Sequence, residues 1–205
     1  RGGRKGPVIL SHGLGVSGKI FSMDTYETNL LEYLFAHNYD VWLLDYRVSI
    51  DLPSSKDKFN GDDVARYDYP AAVELVRKVT GADSVQMVVH CFGSTTWTMS
   101  MLGGWLKHVR SAVCSQVATH MKAPLLTKLK AGIYIPSVMD MLGIESLTAY
   151  SDQNSKWWEK LVDDTLRLYP IQKEEWCDNP TCHRITFLYG QLYEHDQLNN
   201  PTHNN

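Results

Sequence analysis

A three-layer α/β fold built on a parallel sheet is the class this sequence predicts. From Pro7 to about His120, short apolar runs alternate with helical patterns, which is the signature of consecutive βαβ units. The runs are nearly continuous in apolar residues, as strands covered on both faces must be. After His120 the pattern changes and no alternation of strand and helix resumes, so the rest of the chain belongs to something other than that sheet.

Taken in order, Pro7 to Leu14 reads as the first strand. Met23 to Asn38 reads as a helix whose apolar side is Leu30, Leu31, Tyr33, Leu34 and Phe35. Tyr39 to Tyr46 is the next strand, and Tyr69 to Thr80 is a helix stopped by Gly81. Ser84 to Cys91 is a third strand, Gly93 to Leu102 a helix ended by Gly103 and Gly104, and Val109 to Val117 a fourth strand. Two mixed helical segments follow, Ala123 to Met141 and Asn154 to Tyr169, and the tail from Ile171 is rich in Asp, Asn, Pro and His. In a doubly wound enzyme a helical cap sits over the carboxyl ends of the strands. Residues 1–120 are therefore expected to form the core and residues 121–205 a helical cap or lid. The stripe Trp157, Trp158, Leu161, Val162 and Leu168 is what packing of a cap helix requires, and it could also line a substrate channel.

At 205 residues, 43% hydrophobic and a formal charge of -3, the chain reads as an ordinary soluble globular protein with room for a sizeable core. That charge balance does not point to nucleic acid. The longest apolar runs fall short of the roughly 20 residues a membrane span needs, and the amino end lacks a charged-then-apolar leader pattern. No transmembrane segment is expected, and a cytoplasmic location is favoured over a secreted one. The chain opens on Arg1 and closes on the polar tract Asn199 to Asn205, so it reads as an internal piece of a longer protein.

Four cysteines, Cys91, Cys114, Cys177 and Cys182, are too few for a disulfide framework at this length. Cys114 lies in an apolar run and reads as a core residue. Cys177 and Cys182 flank Asp178 to Thr181 beside His183, which leaves open a local disulfide or half of a metal site. The missing second cluster argues against metal, and none is expected.

Cys91 carries the chemistry. It closes the apolar strand ending in His90 and is followed at once by Phe92-Gly93-Ser94, so a strand ends in a nucleophile and turns straight into a helix. Such a turn lifts its central side chain clear of the sheet and needs small neighbours, because strand and helix backbones pass close there. Gly93 meets that need, whereas Val89 is expected to strain it. A lone cysteine at a strand end also fits a small buried hydrophobe.

A second stretch competes for the chemistry. Residues 13–19, from Gly13 to Gly18 and Lys19, follow a strand with the spacing G-x-x-x-x-G-K of a phosphate-binding loop, and Val41 to Asp45 imitates the apolar strand and aspartate that assist magnesium. Ile20 decides against an NTPase, since an aliphatic side chain stands where a Ser or Thr hydroxyl should ligate the metal.

Taken together, Val89-His90-Cys91-Phe92-Gly93, the turn Ser11-His12-Gly13-Leu14-Gly15, the segment Tyr39 to Trp42 with Arg47, and Tyr67 to Ala71 resemble the catalytic core of acid-lipase-type α/β-hydrolases. The elbow and the stretch Arg110 to His120 are closer still to the hydrolase module associated with glucose-methanol-choline oxidoreductases of the cholesterol-oxidase type. The resemblance covers residues 7–120 strongly and the cap more weakly, and it departs from the common elbow pattern at Val89 and Cys91. It implies a truncated α/β-hydrolase fold in which residues 1–120 supply strands three to six and the later core strands are absent.

The same resemblance implies a carboxylic ester hydrolase for an apolar, lipid or sterol-like ester. Cys91 is the nucleophile of an acyl-enzyme, the N–H groups of Leu14 and Phe92 form the oxyanion hole, and His12, Gly13, His90 and Gly93 support them. Losing one such donor typically costs about 3 to 4 kcal/mol. An unperturbed thiol, with a pKa of about 8.5, needs a histidine base. No carboxylate follows the fourth strand in Ser115 to His120, and Asp178, Glu194, Asp196, His183, His195 and His203 lack the strand-end context of triad members. The acid and histidine are therefore expected beyond Asn205, and residues 1–205 alone are expected to be inactive. His90 is expected to point away from Cys91 and to make a structural hydrogen bond. No cofactor is implied for the hydrolase module, and FAD enters only through a fused or partner oxidoreductase domain. In that alternative the module handles substrate for a flavin-dependent sterol or alcohol oxidoreductase.

Overall fold

The computed structural model describes residues 3–117, 119, 125–132, 141 and 157–167. Among them, β1 (Pro7–Ser11), β2 (Asp40–Leu44), β3 (Val85–His90) and β4 (Val109–Ser115) form one parallel sheet in the order β2-β1-β3-β4. Val8 of β1 pairs with Val41 on one side and Gln86 on the other, and Val89 of β3 pairs with Cys114 of β4. The chain runs outward from β1 to β2, then crosses back to place β3 on the other side of β1. Strand order thus reverses between β1 and β3. Loops leaving the carboxyl ends of two such strands diverge, and the crevice between them is where open α/β sheets bind ligands.

Successive side chains of β1 alternate between faces. Ile9 joins a core with Tyr46, Val64, Tyr69, Val73, Val76, Met87 and Val89. Val8 and Leu10 join Phe21 in a second cluster, against which Leu34 and Val41 pack. Helices therefore cover both faces: α1 (Leu30–Ala36) brings Leu34 to the second cluster, while α3 (Tyr69–Thr80) and α4 (Phe92–Leu102) serve the first. Burial on both faces, expected of all the strands, holds throughout only for β1. Val113 of β4 is 63% exposed and Leu43 of β2 38% exposed, because these two strands are the outermost of the described sheet.

Helix α1 begins seven residues later than the expected Met23, because Asn29 starts it chemically. The Asn29 side chain accepts from the Glu32 N–H at 2.9 Å, and the Glu32 carboxylate accepts from the Asn29 N–H at 3.2 Å. Each residue satisfies a donor the other leaves free.

The helix carrying Tyr69 also begins earlier than expected. It opens at α2 (Gly61–Asp63), capped by Asn60, and passes through a π-helical turn, Val64–Asp68, before α3. Pro70 explains the wide turn. Tyr69 N–H reaches back five residues to Val64 O, and the next bond of that kind would run from residue 70 to Ala65 O, but proline has no N–H. Ala65 is fully buried, and its carbonyl is instead satisfied by the Ser100 hydroxyl of α4 at 2.6 Å. Ser100→Ala should therefore cost about 1–3 kcal/mol by stranding that carbonyl, measured as a drop in the urea midpoint at unchanged slope. An unchanged midpoint would mean that the carbonyl is satisfied in another way.

Residues Lys122–Asn205 form a second unit, in which α5 (Leu125–Gly132) and α6 (Trp157–Arg167) are described. Both lie inside the two helical segments expected there. Leu125, Leu129, Trp157 and Leu161 are exposed on them, whereas Leu168 and the side chain of Trp158 lie outside what is described. Among the described residues, no helix is long and apolar enough to cross a membrane.

Candidate active site

Two loops come together at the carboxyl ends of β1 and β3. One leaves β1 as His12-Gly13-Leu14, and the other is the single residue Cys91 between β3 and α4. Cys91 has φ 53° and ψ -120°, a region that side chains rarely adopt and that costs of order 1–3 kcal/mol. The reward of this strain is a free, exposed cysteine at the end of β3. The first turn of α4 is anchored on the same residue, whose carbonyl accepts from Ser94 N–H at 2.9 Å and Thr95 N–H at 3.2 Å. The first N–H groups of a helix have no intrahelical acceptor, and in α4 the first belongs to Phe92, immediately after the thiol.

Close backbone approach sets the site. A Cβ on Gly93 would lie 2.5 Å from His12 O and 3.1 Å from Ser11 Oγ, so only glycine lets α4 approach the β1 loop. A Cβ on Gly13 would lie 3.0 Å from Cys91 Cβ and 3.6 Å from its Sγ, so the Gly13 backbone sits against the thiol. Val89, which was expected to strain the turn, instead lies fully buried in the main core, and the unusual backbone is that of Cys91.

Beneath the loops lies a network of buried hydroxyls. Tyr46 OH donates to His12 O at 2.8 Å, and Tyr69 OH donates to Gly93 O at 2.8 Å. A phenol has one proton, so the 3.0 Å contact between Ser11 Oγ and Tyr69 OH is a bond donated by the serine. Thr96 Oγ1 donates to Phe92 O at 2.9 Å. Burial raises the pKa of both phenols, that of Tyr69 to about 12, so both stay protonated as donors. Tyr46, Tyr69 and Ser11 were not foreseen as site residues, because their partners lie far away in sequence, and Thr96, whose partner Phe92 O is four residues back, was not foreseen either.

His12 is fully buried, with Nδ1 2.7 Å from Gly13 O and its ring 4.6 Å from that of Tyr46. Its Nε2 lies 3.5 Å from Asp45 Oδ1, yet makes no hydrogen bond. Burial lowers its pKa, against the opposing pull of the Gly13 carbonyl and then Asp45 and Asp51. His90 places Nδ1 3.2 Å from Ser115 Oγ, and burial lowers its pKa as well. Its ring does not simply turn away from the site, since a Cβ on Gly13 would also lie 3.5 Å from His90 Cδ2.

The phosphate-loop spacing is used otherwise. Gly18 N–H donates to Asp45 Oδ1 at 2.8 Å, and the same oxygen accepts from Ser49 OH at 2.7 Å. Lys19 pairs with Asp51 at 3.0 Å. The groups that would cradle a phosphate and its metal are bonded to one another. Nearby, Arg47 grips Asp68 with Nε 2.9 Å from Oδ2 and Nη2 2.7 Å from Oδ1, tying the exit of β2 to the Tyr69 helix.

Cys91, Phe92, Gly93, His12, Gly13, Leu14 and His90 thus gather at one end of the sheet. Cys114 sits in β4, half-buried, with its thiol pKa pushed up by burial. Cys177, Cys182, Asp178, Glu194, Asp196, His183, His195 and His203 lie outside the described residues. Among the described residues, no three His, Cys, Asp or Glu side chains are grouped to hold a metal ion.

No family model matches the chain. It is similar to two curated proteins named as lipases. Lipase 1 of Drosophila melanogaster is 33% identical over 100 residues, which is 44% of this chain and 23% of that protein. Lipase lipl-1 of Caenorhabditis elegans is 33% identical over 104 residues, 46% of this chain and 25% of that protein. The matched stretch spans about a quarter of the length of each relative.

Proposed function

We propose that residues 1–120 are the nucleophile-bearing core of an α/β-hydrolase that cleaves carboxylic esters through Cys91, with residues 121–205 as its cap. The carrying observation is the conformation of Cys91, which holds an exposed thiol between β3 and α4 with the Gly13 backbone against it. Similarity to two proteins named as lipases supports the same class of reaction.

In this reading a histidine base takes the thiol proton, and Sγ attacks the ester carbonyl carbon. The N–H groups of Leu14 and Phe92 hold the resulting oxyanion, where preorganised donors are worth more than in water. Collapse breaks the bond to the alcohol oxygen, which leaves with the proton returned by the base, and a thioester remains on Cys91. Water then attacks the thioester with the base removing its proton, and the acid and free thiol are released. The reaction as written uses no cofactor. The chain order of the resembled family is nucleophile, then acid, then histidine, so we assign the base and its carboxylate partner to residues other than those described.

An apolar acyl or sterol-like ester suits the rim of the site. Leu14 is 42% exposed and Ile50 50% exposed, and Ile50 N–H is bonded to Val16 O, which holds it beside the β1 loop. No observation at the site favours the substrate-handling module of a flavin oxidoreductase over the hydrolase. The test is to incubate the full-length protein with a series of chromogenic esters of increasing acyl length, quench in acid, and weigh the peptide containing Cys91. The expected result is hydrolysis that improves with acyl length and an acyl mass on that peptide. Hydrolysis with the acyl group on another residue would overturn the assignment of Cys91, and no hydrolysis of any ester would overturn the function.

A further inference from the structure

The bonding of His12 reaches further than packing. Gly13 O can only accept, so at 2.7 Å the His12 Nδ1 must carry a proton. Nε2 is buried and makes no hydrogen bond, 3.5 Å from Asp45 Oδ1. That oxygen accepts instead from Gly18 N–H and Ser49 OH. The proton that the surroundings fix is therefore the one on Nδ1.

Gly13 O and Leu14 N–H belong to the same peptide unit. In a planar trans peptide the two point in opposite directions, so the bond that draws Gly13 O toward the His12 ring turns Leu14 N–H away from it. The preceding peptide is fixed too, by Tyr46 OH on His12 O at 2.8 Å. Among the described residues, Leu14 N–H donates to no backbone acceptor. Resting on the hydrolase reading above, we infer that His12 is a positioning residue: its Nδ1–H clamps Gly13 O and so aims the Leu14 N–H at the oxyanion formed on Cys91. A buried histidine that only filled space would be indifferent to which ring nitrogen carries the proton. This one is not, because the nitrogen facing Asp45 has no partner while the other makes a short bond to the peptide that matters.

Side chains that differ in where they place a donor test the inference. Asparagine puts an amide N–H near the position of Nδ1, glutamine puts one near Nε2, and leucine supplies none. His12→Leu and His12→Gln in the full-length protein should lower kcat about 10- to 100-fold with KM changed by less than about threefold. His12→Asn should recover most of kcat. Equal kcat for the asparagine and glutamine variants would overturn the inference, even if the leucine variant fails to fold. Nitrogen-15 NMR of the histidine rings supplies a readout independent of turnover. The Nδ1–H tautomer is expected for His12, with a Leu14 amide signal that moves in His12→Gln and returns in His12→Asn. The opposite tautomer, or a Leu14 amide that ignores all three substitutions, would overturn it. If the wild-type protein hydrolyses no ester, the hydrolase reading falls, while the tautomer and the Leu14 amide still decide the placement of that peptide.

Discussion

Cys91→Ala is expected to lower ester hydrolysis by about 10⁴-fold or more, the scale seen when a covalent nucleophile is removed. The fold should survive, because the side chain is exposed and takes no part in either core cluster. On the proposed mechanism, what is lost is the atom that attacks, while the proposed oxyanion donors and the buried hydroxyls remain in place. Cys114→Ala provides the contrast: it trims a half-buried thiol in β4, which should cost some stability and leave kcat intact. Cys91→Ser separates the thiol from the scaffold, since iodoacetamide should inactivate the native protein and spare the serine variant. Full activity in Cys91→Ala, measured on a chromogenic ester with the Cys114 variant in parallel, would remove Cys91 from the mechanism.

Gly93→Ala should be the most damaging single-methyl change at the site. The added Cβ would meet the His12 carbonyl oxygen at 2.5 Å, and that oxygen is fixed by Tyr46 OH, while Ser11 Oγ at 3.1 Å is fixed by Tyr69. Neither neighbour is the loose end of a flexible side chain, so backbone must move. A loss of about 2–4 kcal/mol is expected, together with most of the activity, because the shift separates the proposed Leu14 and Phe92 donors. Gly61→Ala is the matched control, since its Cβ would meet only Met99 and Thr96 side-chain atoms at an ordinary 3.5 Å. Urea midpoints of the two variants would check this. Similar midpoints would show that the α4 and β1 loop backbones are not in close register.

What the sequence disclosed and what it hid follow from distance along the chain. The strand, turn and helix around Cys91 were legible because every cue is local: an apolar run, a cysteine, a glycine two residues on. The parallel direction of the strands was legible from the alternation of apolar runs and helical patterns, whereas their order across the sheet, β2-β1-β3-β4, came from the fold. Asn29 and Glu32 carried an equally local cue for the start of α1, and the apolar side itself begins at Leu30, yet the expected boundary lay upstream at Met23. The hydroxyl network was not legible. Tyr69 sits on the apolar side of a helix and reads as core, and its partners Gly93 and Ser11 are 24 and 58 residues away. Lys19 shows the reverse failure, in which a local spacing imitates a phosphate loop until the fold shows Gly18 spent on Asp45, 27 residues on.

The π-helical turn at Val64–Asp68 has a further consequence, for insertions and deletions. It places one residue more than a regular α-helix would between Asn60 and Tyr69. Beyond it, neighbouring residues project about 100° apart, so that Asp68 reaches Arg47 while Tyr69 reaches the Gly93 carbonyl. Deleting any one of the five residues would restore an ordinary helix and swing one of these two side chains off its partner. A segment that looks from outside like surface helix, with Tyr67 60% exposed, is therefore a spacer of fixed length, tolerant of substitution at Tyr67 and intolerant of a change in residue number. A homologue aligned across it with a single gap would have to rebuild either the bond to Arg47 or the one to the Gly93 carbonyl.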